Sequence, residues 1–321
     1  MKREISVIVP FHGDSAALGS CLSALGKQTV RARMQIVLSV DGPDCPEGVS
    51  HLTDLIVTNS ERLGPAVARN RGWRASEGEF VLFTDSDCVP APDWAEKMTA
   101  PLKQGWEASK GVYTRGGERL IQRLAQVEFM ERYLILKKAR RITIADTYSA
   151  GFTRSALERV GGFDESFPVP DHEDVDLSWR VIRSGGKICF VADAGVTHTH
   201  RKTWASYFAL KTSRGAWRIR VLRRFPEMAF SDGYTPQSMK LQMALAPLLP
   251  VFLAAAAIQP LAPLVWIAVF LMLSAPLILV AVRYDPGVVW LIPAFAWWRG
   301  VALAAGAVAG VLKGDGICSR R

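Results

Sequence analysis

Over the first 200 positions the apolar residues come in short blocks. Ile5-Ser6-Val7-Ile8-Val9-Pro10, residues 35–40, residues 54–58 and Phe80-Val81-Leu82-Phe83 are too short for comfortable helices. They are rich in β-branched and aromatic residues, so they predict buried strands. Further strands are expected near residues 108–113, 147–152 and 188–191. Helices are expected over residues 16–28, from Pro65, from Pro92, over 118–138, from Ser155 to Gly161-Gly162, over 173–184 and over 203–224. Pro65 is placed to open its helix, and the small residues after it let that helix lie close to a sheet. In the 118–138 segment, Leu120, Leu124, Val127, Met130 and Leu134 recur at spacings of three and four, an apolar face that reads as packing. Strands alternating with helices in this way predict βαβ units, hence an α/β fold with a mainly parallel sheet.

Beyond residue 240 the pattern changes. Residues 241–282 carry no charge, and from 241 to 312 only Arg283, Asp285 and Arg299 are charged. Residues 241–259 and 263–282 are each long enough for a hydrocarbon core of about 30 Å at roughly 1.5 Å per residue. With the short uncharged link Pro260-Leu261-Ala262 between them, they predict a helical hairpin. Arg223 and Arg224 before it and Arg283 after it place both ends on the cytoplasmic side. Residues 288–312 could form a third crossing, but Trp297-Trp298-Arg299 lies in the middle and Lys313, Arg320 and Arg321 follow. An arginine is costly at mid-membrane and comfortable at an interface, so a broken or interfacial helix is favoured, with three crossings as the alternative. The expected organisation is one domain over residues 1–230 and a membrane region over 231–321. The protein would be multi-pass in the plasma (inner) membrane, with the first domain cytoplasmic.

The formal net charge of +9 brings in nucleic acid as a partner. The cations, however, gather at Lys137, Lys138, Arg140 and Arg141 and at Arg214, Arg218, Arg220, Arg223 and Arg224, just before the apolar region. That placement suits membrane lipids, and no nucleic-acid-binding signature accompanies it. Cys21, Cys45, Cys88, Cys189 and Cys318 are odd in number, widely spaced and free of Cys-x-x-Cys pairs, as expected of reduced thiols. The opening Met-Lys-Arg-Glu enters a strand at once, so no signal peptide is expected.

Candidate chemistry gathers at strand ends. The Phe80–Phe83 run leads through Thr84 into Asp85-Ser86-Asp87, two carboxylates that suit a hard divalent cation, or else form a plain polar turn. Asp41-Gly42-Pro43 ends the second strand. Glu173, Asp174 and Asp176 occupy the first turn of a helix, where acids also serve as simple caps. Val196-Thr197-His198-Thr199-His200 follows a later strand.

In this order the motifs resemble family 2 glycosyltransferases of the GT-A type. The matching stretches are Val7-Ile8-Val9-Pro10, Val40-Asp41-Gly42, Gly64-Pro65-Ala66-Val67-Ala68-Arg69-Asn70-Arg71-Gly72, Thr84-Asp85-Ser86-Asp87, Val160-Gly161-Gly162-Phe163-Asp164-Glu165 and Glu173-Asp174-Val175-Asp176-Leu177. The resemblance implies a GT-A nucleotide-sugar-binding domain that moves one sugar, with inversion, to a hydroxyl of a lipid-linked glycan or other envelope acceptor. It places the loop from Pro10 to His12 against the base, with Asp41 accepting a hydrogen bond from a ring N–H. Arg69 and Arg71 are put within reach of phosphate or ribose, and Asn70 beside them. Asp87 would hold Mn2+ or Mg2+ on the diphosphate, with Asp85 near the ribose or the ion, and His198 or His200 as a further ligand. Asp174, with Glu173 second, would be the general base. A Gln-x-x-Arg-Trp signature of processive synthases is missing at Thr212-Ser213-Arg214-Gly215-Ala216-Trp217, which speaks against polymerisation. A polyprenyl-phosphate sugar synthase and a non-catalytic, membrane-tethered nucleotide-binding protein are the rival readings.

Overall fold

The structure, a computed structural model, describes residues 3–13 and 15–313; Cys318, Arg320 and Arg321 lie outside the described residues. The strands are β1 (Ile5–Phe11), β2 (Met34–Val40), β3 (Leu55–Thr58), β4 (Phe80–Phe83), β5 (Cys88–Pro90), β6 (Ala108–Arg115), β7 (Ala150–Thr153) and β8 (Ile188–His198). The helices are α1 (Ser15–Gly26), α2 (Pro65–Ala75), α3 (Trp94–Lys103), α4 (Leu120–Leu136), α5 (Arg154–Val160), α6 (Glu173–Arg183), α7 (Trp204–Arg224), α8 (Met228–Ser231), α9 (Gln237–Leu245), α10 (Leu249–Ala255), α11 (Ala262–Tyr284) and α12 (Ile292–Lys313). The chain divides into two compact units, Met1–Arg115 with Lys137–Thr199, and Gly116–Leu136 with His200–Arg321. This division does not follow a boundary at residue 230: α4 and α7 group with the apolar helices, because their apolar faces pack on those helices.

In the first unit all eight strands form one sheet in the order β3-β2-β1-β4-β7-β6-β8-β5. The first four strands pair in parallel, as their buried apolar runs predict. The far half is mixed, since β7 runs antiparallel to both β4 and β6, and β5 antiparallel to β8. Every residue of β1 and β2 is buried, so helices cover both faces of that half. A Cβ at Gly72 would come within 2.6 Å of Ile8, so only glycine lets α2 lie this close to the sheet. The extension of β8 to His198 exceeds the predicted strand. Its middle, Ala192-Asp193-Ala194, has poor strand propensity and falls in a register shift of the β6 ladder, and pairing resumes at Gly195 with β6 and at Val196 with β5 to carry the strand on. That extension sets His198 opposite Cys88 in the ladder.

In the second unit, Ile121, Leu124 and Val127 of α4 share one buried cluster with Tyr207 of α7, Leu277 and Ala281 of α11, and Ile292 and Phe295 of α12. Three stretches, Gln237–Ala255, Ala262–Tyr284 and Pro286–Lys313, are long and apolar enough to cross a membrane. The last corrects the expectation of a broken helix, for α12 runs unbroken through Trp297, Trp298 and Arg299. Arg299 is only 1% exposed, donates to Gln242 Oε1 at 2.7 Å and lies 3.7 Å from Glu128 Oε2. The arginine is thus accommodated by partners and not by breaking the helix.

Candidate active site

The site of the first unit is built from the ends of β2 and β4, the start of α2, the start of α6 and the end of β8. Asp85 and Asp87 follow β4, Asp85 half-buried and Asp87 exposed. Ligand atoms of Asp85, Asp87 and the buried Cys88 all lie within 4.8 Å of one another. His198 Nε2 is 3.2 Å from Asp87 Oδ2. Burial works to raise the Asp87 carboxyl, but its hydrogen bond with His198 holds it below the ordinary range. Burial raises Asp85 despite the neighbouring Arg69. Carboxylate oxygens joined by an imidazole nitrogen form a donor set that fits a hard divalent cation such as Mn2+ or Mg2+.

Arg69 links this pair to the second acidic group. It lies on α2, is 3% exposed, and its guanidinium donates through Nη2 to Asp85 Oδ1 at 3.0 Å and through Nη1 to Glu173 Oε1 at 2.6 Å. One fork therefore spans the acids after β4 and those opening α6, two groups nearly ninety positions apart in the chain. Its ring-face contact with Phe163, at 5.7 Å, fixes the guanidinium further.

The first turn of α6 begins after His172, which has φ of 70° and is the one non-glycine residue with positive φ among the described residues. That left-handed turn costs about 1–2 kcal/mol for a residue with a Cβ. It aims Glu173 inward to Arg69 while Asp174 stays half-buried. Burial, then the charges of Glu173 and Asp146, push the Asp174 carboxyl up to about 7. A carboxyl poised there can accept a proton near neutral pH.

The other predicted residues fall as follows. Pro10 is buried at the end of β1 and His12 is exposed just after it. Asp41 is buried and occupied internally, accepting from Asn59 Nδ2 at 3.1 Å, the Leu63 amide at 2.8 Å and the Gly64 amide at 3.0 Å. It thereby holds the loop that starts α2. Asn70 donates to the Phe163 carbonyl and to Glu165, and accepts from the Phe163 amide and Trp73 Nε1, so its amide clamps α2 to the 163–165 loop. Arg71 is half-buried, its guanidinium 3.5 Å from the Thr58 carbonyl. His198 and His200 separate: His200 belongs to the second unit, where its Nε2 meets Gln126 at 3.0 Å and its ring stacks on Phe129.

Sequence reasoning missed the aromatic column behind His198. Tyr113 stacks on His198 at 4.9 Å and on Tyr148 at 3.6 Å. The buried Lys110 donates to Tyr148 Oη at 3.0 Å and pairs with Asp146, the same acid that acts on Asp174. Tyrosines in strands are ordinary composition, and these residues come from separate segments, so no local signal marks them.

The sheet order, the acids that follow β4 and the histidine that ends β8 define a GT-A fold. The structure superposes on a mannosyltransferase from Pyrobaculum calidifontis, solved with GDP-Man and Mn2+, with a TM-score of 0.61 at 21% identity, covering 97% of this chain and 88% of that one. A GalNAc-T7 structure with UDP, GalNAc and Mn2+ aligns with a TM-score of 0.50 at 19% identity over 68% of this chain and 51% of that one. Residues 6–161 match the Glycosyl transferase family 2 model. Among curated proteins, the pre-mycofactocin glycosyltransferase of Mycobacterium tuberculosis is 25% identical over 237 residues, 70% of this chain and 49% of that protein. The chain spans about half the length of the curated relatives it matches.

Proposed function

We propose that the protein transfers one sugar from a nucleotide-sugar to a hydroxyl of a lipid-linked glycan or related envelope acceptor, with inversion and with a divalent cation. The observation that carries this reading is the Arg69 fork, which joins the Asp85/Asp87 pair to the Glu173/Asp174 pair. Asp87, Asp85 and His198 would hold Mn2+ or Mg2+, which supplies positive charge to the departing nucleoside diphosphate. The donor type and the ion are supported by the fold neighbours solved with GDP-Man or UDP and Mn2+. Pro10, His12 and Asp41 border the base side of such a donor.

In the transfer, the acceptor oxygen bonds to the anomeric carbon from the face opposite the diphosphate. The carbon–oxygen bond to the diphosphate breaks, and the hydroxyl proton passes to Asp174. Glu173, engaged by Arg69, fixes the turn that presents Asp174. The near-neutral Asp174 favours a hydroxyl acceptor over a polyprenyl phosphate, whose oxygen is already anionic and has little use for a base. The three apolar stretches support anchoring in the plasma (inner) membrane with the first unit cytoplasmic, where lipid-linked acceptors are reached.

The test is turnover by membranes containing the full chain, given a panel of UDP-, GDP- and dTDP-sugars with Mn2+ and a lipid-linked acceptor fraction. One donor should release its diphosphate, and Asp87→Ala should abolish that release and weaken nucleotide binding. Turnover that survives Asp87→Ala, or is indifferent to chelation of the cation, would refute the reading.

A further inference from the structure

Lys110 of β6 is fully buried, in a strand whose neighbouring positions Ala108, Ser109 and Val112 are small or apolar. A lysine ammonium is costly to bury unless it is paired. Here Nζ pairs with Asp146 and donates to Tyr148 Oη at 3.0 Å, lying 4.5 Å from the centroid of that ring. The fold alone has little need of a charge at this point, because a well-packed apolar residue in place of a buried ion pair is commonly as stable or more so. What the two partners of the ammonium touch explains the lysine better.

Tyr148 leads to the cation site. Its ring stacks on Tyr113 with centroids 3.6 Å apart, and Tyr113 stacks at 4.9 Å on His198, whose Nε2 is 3.2 Å from Asp87 Oδ2. The Tyr148 carbonyl accepts from Thr84 Oγ1 at 3.0 Å, and Thr84 immediately precedes Asp85. Residues three apart on a regular strand point to opposite faces. The register of β6 shifts between Lys110 and Val112, which lets Lys110 and Tyr113 both reach this one ring.

Asp146 leads to the base. The amide of Ala145, next to it, donates to Ser178 Oγ at 3.0 Å, and that hydroxyl donates to the Asp174 carbonyl at 2.7 Å. The charged groups that act on the Asp174 carboxyl are Glu173 beside it on α6, Asp146 from the loop before β7, His172 from the preceding turn and Arg69 from α2. Asp146 is the member of this set whose charge Lys110 offsets.

We propose that Lys110 is a positioning residue for both halves of the site: its ammonium holds the Tyr148–Tyr113 stack that orients His198 towards the cation, and it offsets the Asp146 charge beside the base. It acts through these partners and not on the reacting atoms. The inference rests on the metal-dependent transfer proposed above.

The experiment uses the full chain in detergent and has two readouts. Mn2+ binding in the presence of UDP or GDP, followed by the EPR signal of free Mn2+, needs no turnover. The pH profile of kcat/KM for transfer is the second. Lys110→Met should raise the half-saturating Mn2+ concentration about tenfold, the usual loss when a metal-ligating histidine loses its support. It should also move the profile to higher pH, since the unopposed Asp146 charge pushes Asp174 further above about 7. Asp146→Asn should leave Mn2+ binding as in the parent and move the profile to lower pH. The double variant buries no unpaired charge and should combine weak Mn2+ binding with the low-pH profile; it carries the test if Lys110→Met does not fold. Folded variants at Lys110 with parental Mn2+ binding overturn the inference, as does a Lys110 effect on the profile that is the same with and without Asp146. A parent that binds no Mn2+ with either nucleotide, or binds it no better than Asp87→Ala does, sinks the transfer reading itself and this inference with it.

Discussion

Asp174 carries two opposed demands in one carboxyl group. Its folded-state value of about 7 lies above the ordinary value of about 3.9 for an unfolded aspartate. Between those values the folded protein binds the extra proton, so this residue's share of stability is full below the lower one and is lost as pH rises towards 7. Asp174→Asn removes that loss. The variant should melt at the same or a higher temperature than the parent at pH 8, while transfer falls at least a hundredfold. In the parent, kcat/KM should rise with pH and level off above about 7, because only the ionised carboxylate accepts the proton. An Asp174→Asn protein with normal turnover and an unchanged profile would remove Asp174 from the mechanism. Arg69 donates to both Asp85 and Glu173, so both arms of its fork are engaged within the site.

At the scale of elements, two local features decide where chemistry and packing occur. The extension of β8 beyond Ala192-Asp193-Ala194 delivers His198 to Asp87, and the left-handed His172 fixes the start of α6. In the second unit, the glycines between α7 and α12 set the spacing of those helices. Gly306 has the tightest environment, its missing Cβ directed at the Thr212 carbonyl. Gly306→Val should therefore lower stability by about 1–3 kcal/mol, the usual penalty for overpacking. A thermal melt of the purified full chain in detergent reads this, and an unchanged midpoint would show that the helices do not meet through this residue.

At the scale of the whole molecule, the division into units governs what can be removed. A chain ended after residue 230 would keep α4 and α7 but lose Leu277, Ile292 and Phe295, which cover Ile121, Leu124, Val127 and Tyr207. Each large apolar side chain so uncovered forfeits about 1.5–3 kcal/mol. Such a truncation should elute as aggregate in size-exclusion chromatography without detergent, and a monodisperse folded monomer would contradict this account of the second unit.

The sequence by itself determined the parallel strands, the helices between them, the acids at the ends of β2 and β4 and the apolar length of the last quarter. These follow from local periodicity, turn residues and composition, which neighbouring positions record. Only the tertiary structure decided that Arg69 ties Asp85 to Glu173, that His198 and not His200 lies at Asp87, that Tyr113 and Tyr148 back it, and that α4 and α7 pack with the apolar helices. It also decided that Arg299 is paired instead of ending its helix. Each of these depends on side chains brought together from distant segments, and the energy of such contacts leaves no mark on the residues beside them in the chain.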